Sequence, residues 1–234
     1  MHFTHTLLSQ MLLYAITSRR ALPGDDAEQR RRLIDLALTW ASGGVDYIQI
    51  REKDLPLPEL QSLTAEVVEA VRSTGSATRI LLNGPAQIAL AAGADGVHLP
   101  STPGLEPAAN PQMVGTAGTA VRAAAGAYER AGREAIVSVA CHSPEEIRRA
   151  SGASLLLFSP VFEKVTAQKV TSGQGLAALR AAVGLAAPIP VVALGGVTEK
   201  NAAACIENGA AGIAAIRLFI GDAWRSLASI PSSS

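Results

Sequence analysis

A chain of 234 residues with 48% hydrophobic and 17% charged side chains is too apolar for a disordered segment, and its length is near the roughly 250 residues of one α/β barrel. Twenty basic residues balance twenty acidic ones, so no global field draws in nucleic acid or an anionic lipid surface, and any anion site must be local. Cys141 and Cys205 form neither a C-x-x-C pair nor a disulfide framework, and the apolar patch Met11 to Ile16 is too short for a membrane span and lacks a cationic segment before it, so a cytoplasmic protein with no membrane association is expected.

In chain order, short apolar runs predict strands over Leu12 to Thr17, Tyr47 to Ile50, Ile80 to Leu82, Gly96 to Leu99, Ile136 to Val139, Leu155 to Phe158, Pro190 to Leu194 and Gly212 to Ile216. Helical spacing fills the intervals, over Ala27 to Trp40, Pro58 to Arg72, Pro85 to Ala92, Ala120 to Arg130, Pro144 to Ala150, Leu176 to Val183 and Glu199 to Glu207, with Asp222 to Leu227 after the last strand. Eight strands alternating with eight helical segments predict a single (β/α)₈ TIM barrel over residues 1–234, with a core from about 11 to 228 and a flexible tail over 229–234.

The punctuation agrees. Ser143-Pro144-Glu145-Glu146 and Thr198-Glu199 place a hydroxyl cap before an acidic first turn, and Gly152 and Gly209 sit where helices should stop. Three phrases repeat one helix-stop-into-strand unit: Gly43-Gly44-Val45-Asp46-Tyr47, Gly93-Ala94-Asp95-Gly96-Val97 and Gly209-Ala210-Ala211-Gly212-Ile213. Residues 101–117, with Pro103, Pro107 and Pro111, form the longest irregular stretch and should overhang the catalytic face.

In such a barrel, chemistry gathers just past the strand ends. A period of two puts Gln49, Arg51 and Lys53 on one face of the second strand, where a planar guanidinium and a compact ammonium suit phosphate oxygens. Lys164 and Lys169 fall in the stretch Glu163 to Gly175, which resembles a flexible lid closing over an anion. Gly195-Gly196 and Ile216-Arg217 end strands seven and eight, where barrels often seat a phosphate on backbone N–H groups. His142, beside the fifth strand end, is the acid/base candidate; His98 lies within a strand and reads equally as structural. Gly173-Gln174-Gly175 has no strand before it, which argues against a dinucleotide site, and no Cys/His cluster has zinc spacing.

Read together and in order, Tyr14-Ala-Ile-Thr17, Gln49-Ile-Arg-Glu-Lys53, Leu81-Leu-Asn83, Ala94-Asp-Gly-Val-His-Leu99, His142-Ser-Pro-Glu-Glu146, Ser159-Pro-Val-Phe162 and Ala193-Leu-Gly-Gly-Val197 resemble the thiamine phosphate synthase and TenI superfamily. The resemblance implies an enzyme of thiamine biosynthesis that joins hydroxymethylpyrimidine pyrophosphate to a thiazole phosphate and releases pyrophosphate, with Mg2+ as cofactor and phosphorylated small molecules as partners. It implies that Gln49, Arg51, Lys53 and Asn83 bind the pyrimidine pyrophosphate and that Gly195, Gly196, Ile216 and Arg217 bind the thiazole phosphate; His142 and Lys169, from their places after the fifth and sixth strands, are the catalytic candidates. A homo-oligomer is compatible with it.

The chain departs from the family pattern at the metal. Asn83-Gly84 stands where an Asn-Asp pair belongs, and Pro100-Ser101-Thr102-Pro103 stands where a second acidic ligand belongs, leaving Glu52, Asp54 or Glu163 as the nearby carboxylates. Ala140 replaces a serine, and Arg217 replaces a small residue. The TenI branch, a thiazole tautomerase, is the alternative; its catalytic histidine falls at Pro160, so His142 would have to act instead. A third reading is a non-catalytic, regulatory barrel that binds a phosphate ligand.

Overall fold

Each of the eight apolar runs forms a parallel strand, and the eight close into a barrel in the computed structural model, which describes residues 11–101, 117–165 and 170–229. The barrel strands are β1 (Leu12–Ile16), β2 (Tyr47–Ile50), β3 (Arg79–Leu82), β4 (Gly96–Leu99), β5 (Ile136–Cys141), β6 (Leu155–Phe158), β9 (Val191–Leu194) and β10 (Gly212–Ala215). Neighbours pair in sequence order around the ring, and β1 closes it against β10 with Tyr14 opposite Ala214. Among the described residues eight α-helices cover the outside: α1 (Asp26–Ser42), α2 (Leu57–Ser73), α3 (Ala86–Ala91), α4 (Ala117–Glu129), α5 (Pro144–Arg149), α6 (Gly175–Ala186), α7 (Ala202–Glu207) and α8 (Arg217–Ile220).

Strand alternation sorts the side chains into two cores. On β5, Val137, Val139 and Cys141 join the outer core, where strands meet helix residues such as Leu33, Leu63 and Val67. The inner core fills the barrel with Tyr14, Ile16, Leu81, Leu155, Leu157, Val192 and Ala214. The barrel is therefore packed through its middle, and only its ends can hold a ligand.

The repeated helix-stop phrase has a structural reason. Gly44, Gly93 and Gly209 all have positive φ, and the aspartate that follows in two of the three phrases ties off a neighbouring strand. Asp46 Oδ2 accepts the Leu13 amide at 2.8 Å, and Asp95 Oδ2 accepts the Ile80 amide at 2.8 Å. Ser143 caps α5 as its sequence indicates, accepting the Glu146 amide.

Three local expectations are corrected. Thr198 does not cap a helix: its amide donates to Asn201 Oδ1 at 2.7 Å and its carbonyl accepts the Asn201 and Ala202 amides, so residues 198–201 form a turn and α7 starts at Ala202. The last segment is not one helix over Asp222 to Leu227 but α8 followed by a 3₁₀ helix over Ala223–Ser229. Phe219 and Trp224, five residues apart, stack at 5.9 Å between centroids, and Phe219 meets Trp40 edge-on at 6.3 Å. A continuous α-helix brings residues three or four apart together, so this aromatic clasp requires the break. Finally, the stretch after β6 contains a short antiparallel hairpin, β7 (Lys164–Val165) with β8 (Val170–Thr171), where only a loop is expected. Residues 1–10, 102–116, 166–169 and 230–234, which include Lys169, most of the overhanging loop and the tail, lie outside the described residues.

Candidate active site

The C-terminal strand ends share one face of the barrel, and the segments that follow β1 and β2 are fastened to each other there. The Arg51 amide donates to Thr17 Oγ1 at 2.9 Å, and the Thr17 hydroxyl donates to Glu52 Oε1 at 2.6 Å. The Arg19 amide donates to both Glu52 oxygens, at 3.1 and 3.0 Å. Asp54 accepts from the guanidinium of Arg19 at 2.8 Å and from Arg20 Nε at 3.0 Å. The turn carrying Arg51 and Lys53 is thus held in place by its own acidic neighbours. Burial pushes the Glu52 carboxyl above its ordinary value against the pull of Thr17 and Arg19. At Asp54 desolvation is outweighed by the hydrogen bond from Arg20 and the charges of Arg19 and Arg20, which hold the carboxyl below its ordinary value.

A cavity of about 1170 Å³ opens on this face, lined by Ile16, Arg51, His142, Ser159, Pro160, Glu163, Gly195, Gly196, Lys200, Ala214, Ile216 and Arg217 among others. That volume exceeds the roughly 300–1,000 Å³ usual for a single small ligand. Of the residues singled out from sequence, Arg51, His142, Gly195, Gly196, Ile216 and Arg217 come together on its wall. Gln49 lies deeper, inside the barrel and almost fully buried, with its Oε1 accepting the Tyr14 hydroxyl. Lys53 is exposed on the turn after β2, and Asn83 is half-buried just past β3; neither lines the cavity.

Gly195 and Gly196 have φ of +92° and +68°. A Cβ on Gly195 would lie 2.7 Å from Pro160 Cα, and one on Gly196 would lie 2.5 Å from the Glu163 carbonyl oxygen. Both the backbone angle and the close approach of the β6–α6 segment therefore demand glycine. The fold is tied there by the Val161 amide on the Leu194 carbonyl and the Phe162 amide on the Gly195 carbonyl. Among the described residues the Gly196 and Val197 amides find no acceptor, which leaves two N–H groups beside the cavity for an anion.

His142 Nδ1 is 2.7 Å from the Ser159 carbonyl oxygen. A carbonyl only accepts, so Nδ1 carries a proton, and Nε2 is the ring atom left for acid or base chemistry. Pro160, at the TenI histidine position, lines the cavity but has no ring base to offer.

Sequence reading missed Lys200, which lines the cavity from the turn before α7, and did not connect Tyr14, Ser138 and His98, which meet inside the barrel. The signal for the second group was available: alternation places a polar residue on the inward face of β1, β2, β4 and β5 in turn.

The described residues do not fit a protein-held magnesium. A hard dication needs several oxygen donors, and no group of three His, Cys, Asp or Glu that could hold a metal occurs among the described residues. Glu52 and Asp54 are committed to Thr17, Arg19 and Arg20, which leaves Glu163 alone of the three on the cavity wall.

The family model described as thiamine monophosphate synthase matches residues 13–219. A thiamine-phosphate synthase of Methanoculleus marisnigri is 34% identical over 188 residues, covering 80% of each chain. One of Syntrophomonas wolfei is 31% identical over 218 residues, covering 91% of this chain and 90% of its own. Among solved structures, a thiamine phosphate pyrophosphorylase from Pyrococcus furiosus superposes with a TM-score of 0.68 at 26% identity, covering 95% of this chain and 94% of that one. The match runs across both the cationic end of β2 and the glycine turn after β9, and the chain belongs to the thiamine monophosphate synthase family.

Proposed function

We propose that this barrel is a thiamine-phosphate synthase, joining hydroxymethylpyrimidine pyrophosphate to a thiazole phosphate. The observation that carries the reading is that Arg51 from β2 and the glycine turn and Ile216-Arg217 from β9 and β10 line one cavity large enough for both substrates. In the reaction the bond between the pyrimidine methylene carbon and the pyrophosphate oxygen breaks, and its electron pair leaves with pyrophosphate. The lone pair of the thiazole nitrogen then forms the carbon–nitrogen bond. Charge develops on the departing oxygens, so the guanidinium of Arg51, supported by Lys53 on the same turn, stabilises the transition state more than the bound substrate. The family pattern assigns Gln49 and Asn83 to the pyrimidine pyrophosphate, from positions outside the cavity lining, and the Gly196 and Val197 amides with Arg217 seat the thiazole phosphate. His142 lines the same cavity, and Lys169 is proposed as a catalytic residue from its place in the sequence alone.

The family resemblance implies Mg2+, but the described carboxylates do not supply its ligands. Incubating purified protein with both substrates tests the reading: thiamine phosphate and pyrophosphate are expected in equal amounts, and failure to form either contradicts it.

A second reading, a thiazole tautomerase with His142 as base, draws on the Ser159 carbonyl, which holds Nδ1 as the donor and leaves Nε2 for the substrate. It predicts exchange of a thiazole ring proton without pyrophosphate release, and unchanged exchange in His142→Ala counts against it.

A further inference from the structure

Four polar side chains meet inside an otherwise apolar barrel. Tyr14, Gln49, His98 and Ser138 come from β1, β2, β4 and β5, and all four are buried. The Tyr14 hydroxyl donates to Gln49 Oε1 at 3.1 Å, lies 3.1 Å from Ser138 Oγ, and Ser138 Oγ lies 2.8 Å from His98 Nδ1. Around them pack Ile16, Leu81, Leu155, Leu157 and Val192. In such surroundings a hydrogen bond is strong and an unmade one is costly, so the group acts as a unit.

With the Gln49 oxygen turned toward Tyr14, counting protons sets the direction of the rest. A hydroxyl has one hydrogen. Tyr14 gives its hydrogen to Gln49, so at the Tyr14–Ser138 contact Ser138 is the donor. Having given its only hydrogen to Tyr14, Ser138 must accept from His98, which therefore carries its proton on Nδ1 and keeps a lone pair on Nε2. Burial, reinforced by the charges of Arg51 and Lys53, holds the imidazole far below its ordinary value, at about 3. The network thus sets a tautomer and leaves the charge alone.

We propose that Ser138 is a positioning residue for the reaction: it completes a one-way chain from His98 through Tyr14 to Gln49 that fixes the Gln49 amide nitrogen as a donor and His98 Nε2 as an acceptor. The kinetic consequence rests on the proposed synthase activity; the tautomer does not. With Ser138 in place, turning the Gln49 amide over would require reversing every proton in the chain. Without it, the amide and the imidazole are free to choose separately, and the donor pattern offered to a heterocycle is no longer single.

The experiment uses the full chain labelled with ¹⁵N, reading the His98 tautomer from long-range proton–nitrogen correlations, alongside steady-state kinetics. In the unaltered protein Nδ1–H with an unprotonated Nε2 is expected. Tyr14→Phe removes the acceptor of the Ser138 hydroxyl, which then turns to His98 Nδ1, so the tautomer is expected to switch to Nε2–H; a misplaced but passive scaffold would not produce that switch. Ser138→Ala is expected to give a tautomer mixture and about a tenfold lower kcat/KM for the pyrimidine pyrophosphate, with KM for the thiazole phosphate unchanged. The double variant should be no worse than the poorer single one. Nε2–H in the unaltered protein, or an unchanged tautomer in Tyr14→Phe, overturns the proposal; if Ser138→Ala does not fold, Tyr14→Phe decides alone. Absence of condensation with the expected tautomers would count against the synthase reading and leave the chain's direction standing.

Discussion

The hydroxyl of Thr17 stands between Arg51 and Glu52, accepting the Arg51 amide at 2.9 Å and donating to the Glu52 carboxylate at 2.6 Å. One side chain at the end of β1 thereby fixes the backbone at which β2 releases its cations. It also helps keep the Glu52 carboxylate away from the cavity. Thr17→Val keeps the shape and removes both bonds. Folding stability is expected to fall by about 2 kcal/mol, because a buried carboxylate and an amide each lose a partner. Urea unfolding checks this, and kcat/KM for the pyrimidine pyrophosphate should fall with it as Arg51 loosens.

Arg51→Ala removes a charge from the leaving-group side of the cavity. The expected loss in kcat is about 100-fold to 1000-fold, the range for removing one preorganised donor from a transition state. Arg51→Lys keeps the charge but not the fork, and should recover only part of it. Equal losses in the two variants would show that the planar geometry, more than the charge, carries the effect; an unchanged kcat in both would remove Arg51 from the chemistry.

In the glycine turn after β9, Gly196→Ala forces a Cβ to within 2.5 Å of the Glu163 carbonyl oxygen at a φ of +68°. A destabilisation above about 1 kcal/mol is expected, measured by thermal or urea unfolding. In any variant that folds, KM for the thiazole phosphate should rise while the pyrimidine substrate is less affected, because the turn offers its amides to only one of the two.

His98 is buried and neutral, with its ring pushed from 6.5 to about 3 by burial, then by Arg51 and Lys53. A base whose folded value is depressed contributes stability that is fully present above the unfolded value, near 6.5, and is lost as pH falls toward the folded one. Between pH 7 and pH 5 the unfolded chain takes up a proton at this position and the folded chain does not. The loss attributable to His98 is about 2 kcal/mol over that interval. Urea titrations of the parent and of His98→Asn at both pH values test this; the variant should lack that part of the acid sensitivity, and identical pH dependence would show that His98 titrates normally.

Much of this was legible in the sequence because the barrel repeats one grammar. Apolar runs mark strands, and each stop phrase marks the passage back to the next; Asp46 and Asp95 even show why the phrase includes an acid. Of the cationic stretch, alternation placed Gln49 inside the barrel, and Arg51 reaches the cavity wall, but the strand stops at Ile50 and the turn that follows carries Lys53 away from it. Other features depend on contacts between distant segments. Nothing near Thr198 in sequence says that Asn201 will take its amide, and the break between α8 and the final 3₁₀ helix follows from the room that Trp40 leaves for Phe219 and Trp224. The chain through Ser138 needed the ring closed before its four members became neighbours. Glu52 and Asp54 looked like metal ligands in one dimension, and are guanidinium, amide and hydroxyl partners in three.

The central claim is that one cavity holds both phosphorylated substrates and couples loss of pyrophosphate to formation of the carbon–nitrogen bond. The most direct measurement follows pyrophosphate and thiamine phosphate together, in single turnover, with the pyrimidine pyrophosphate alone and then with the thiazole phosphate added. The account predicts little pyrophosphate from the first mixture and equal, simultaneous appearance of both products from the second. Pyrophosphate release that ignores the thiazole, or no thiamine phosphate at saturating concentrations of both substrates, would contradict it.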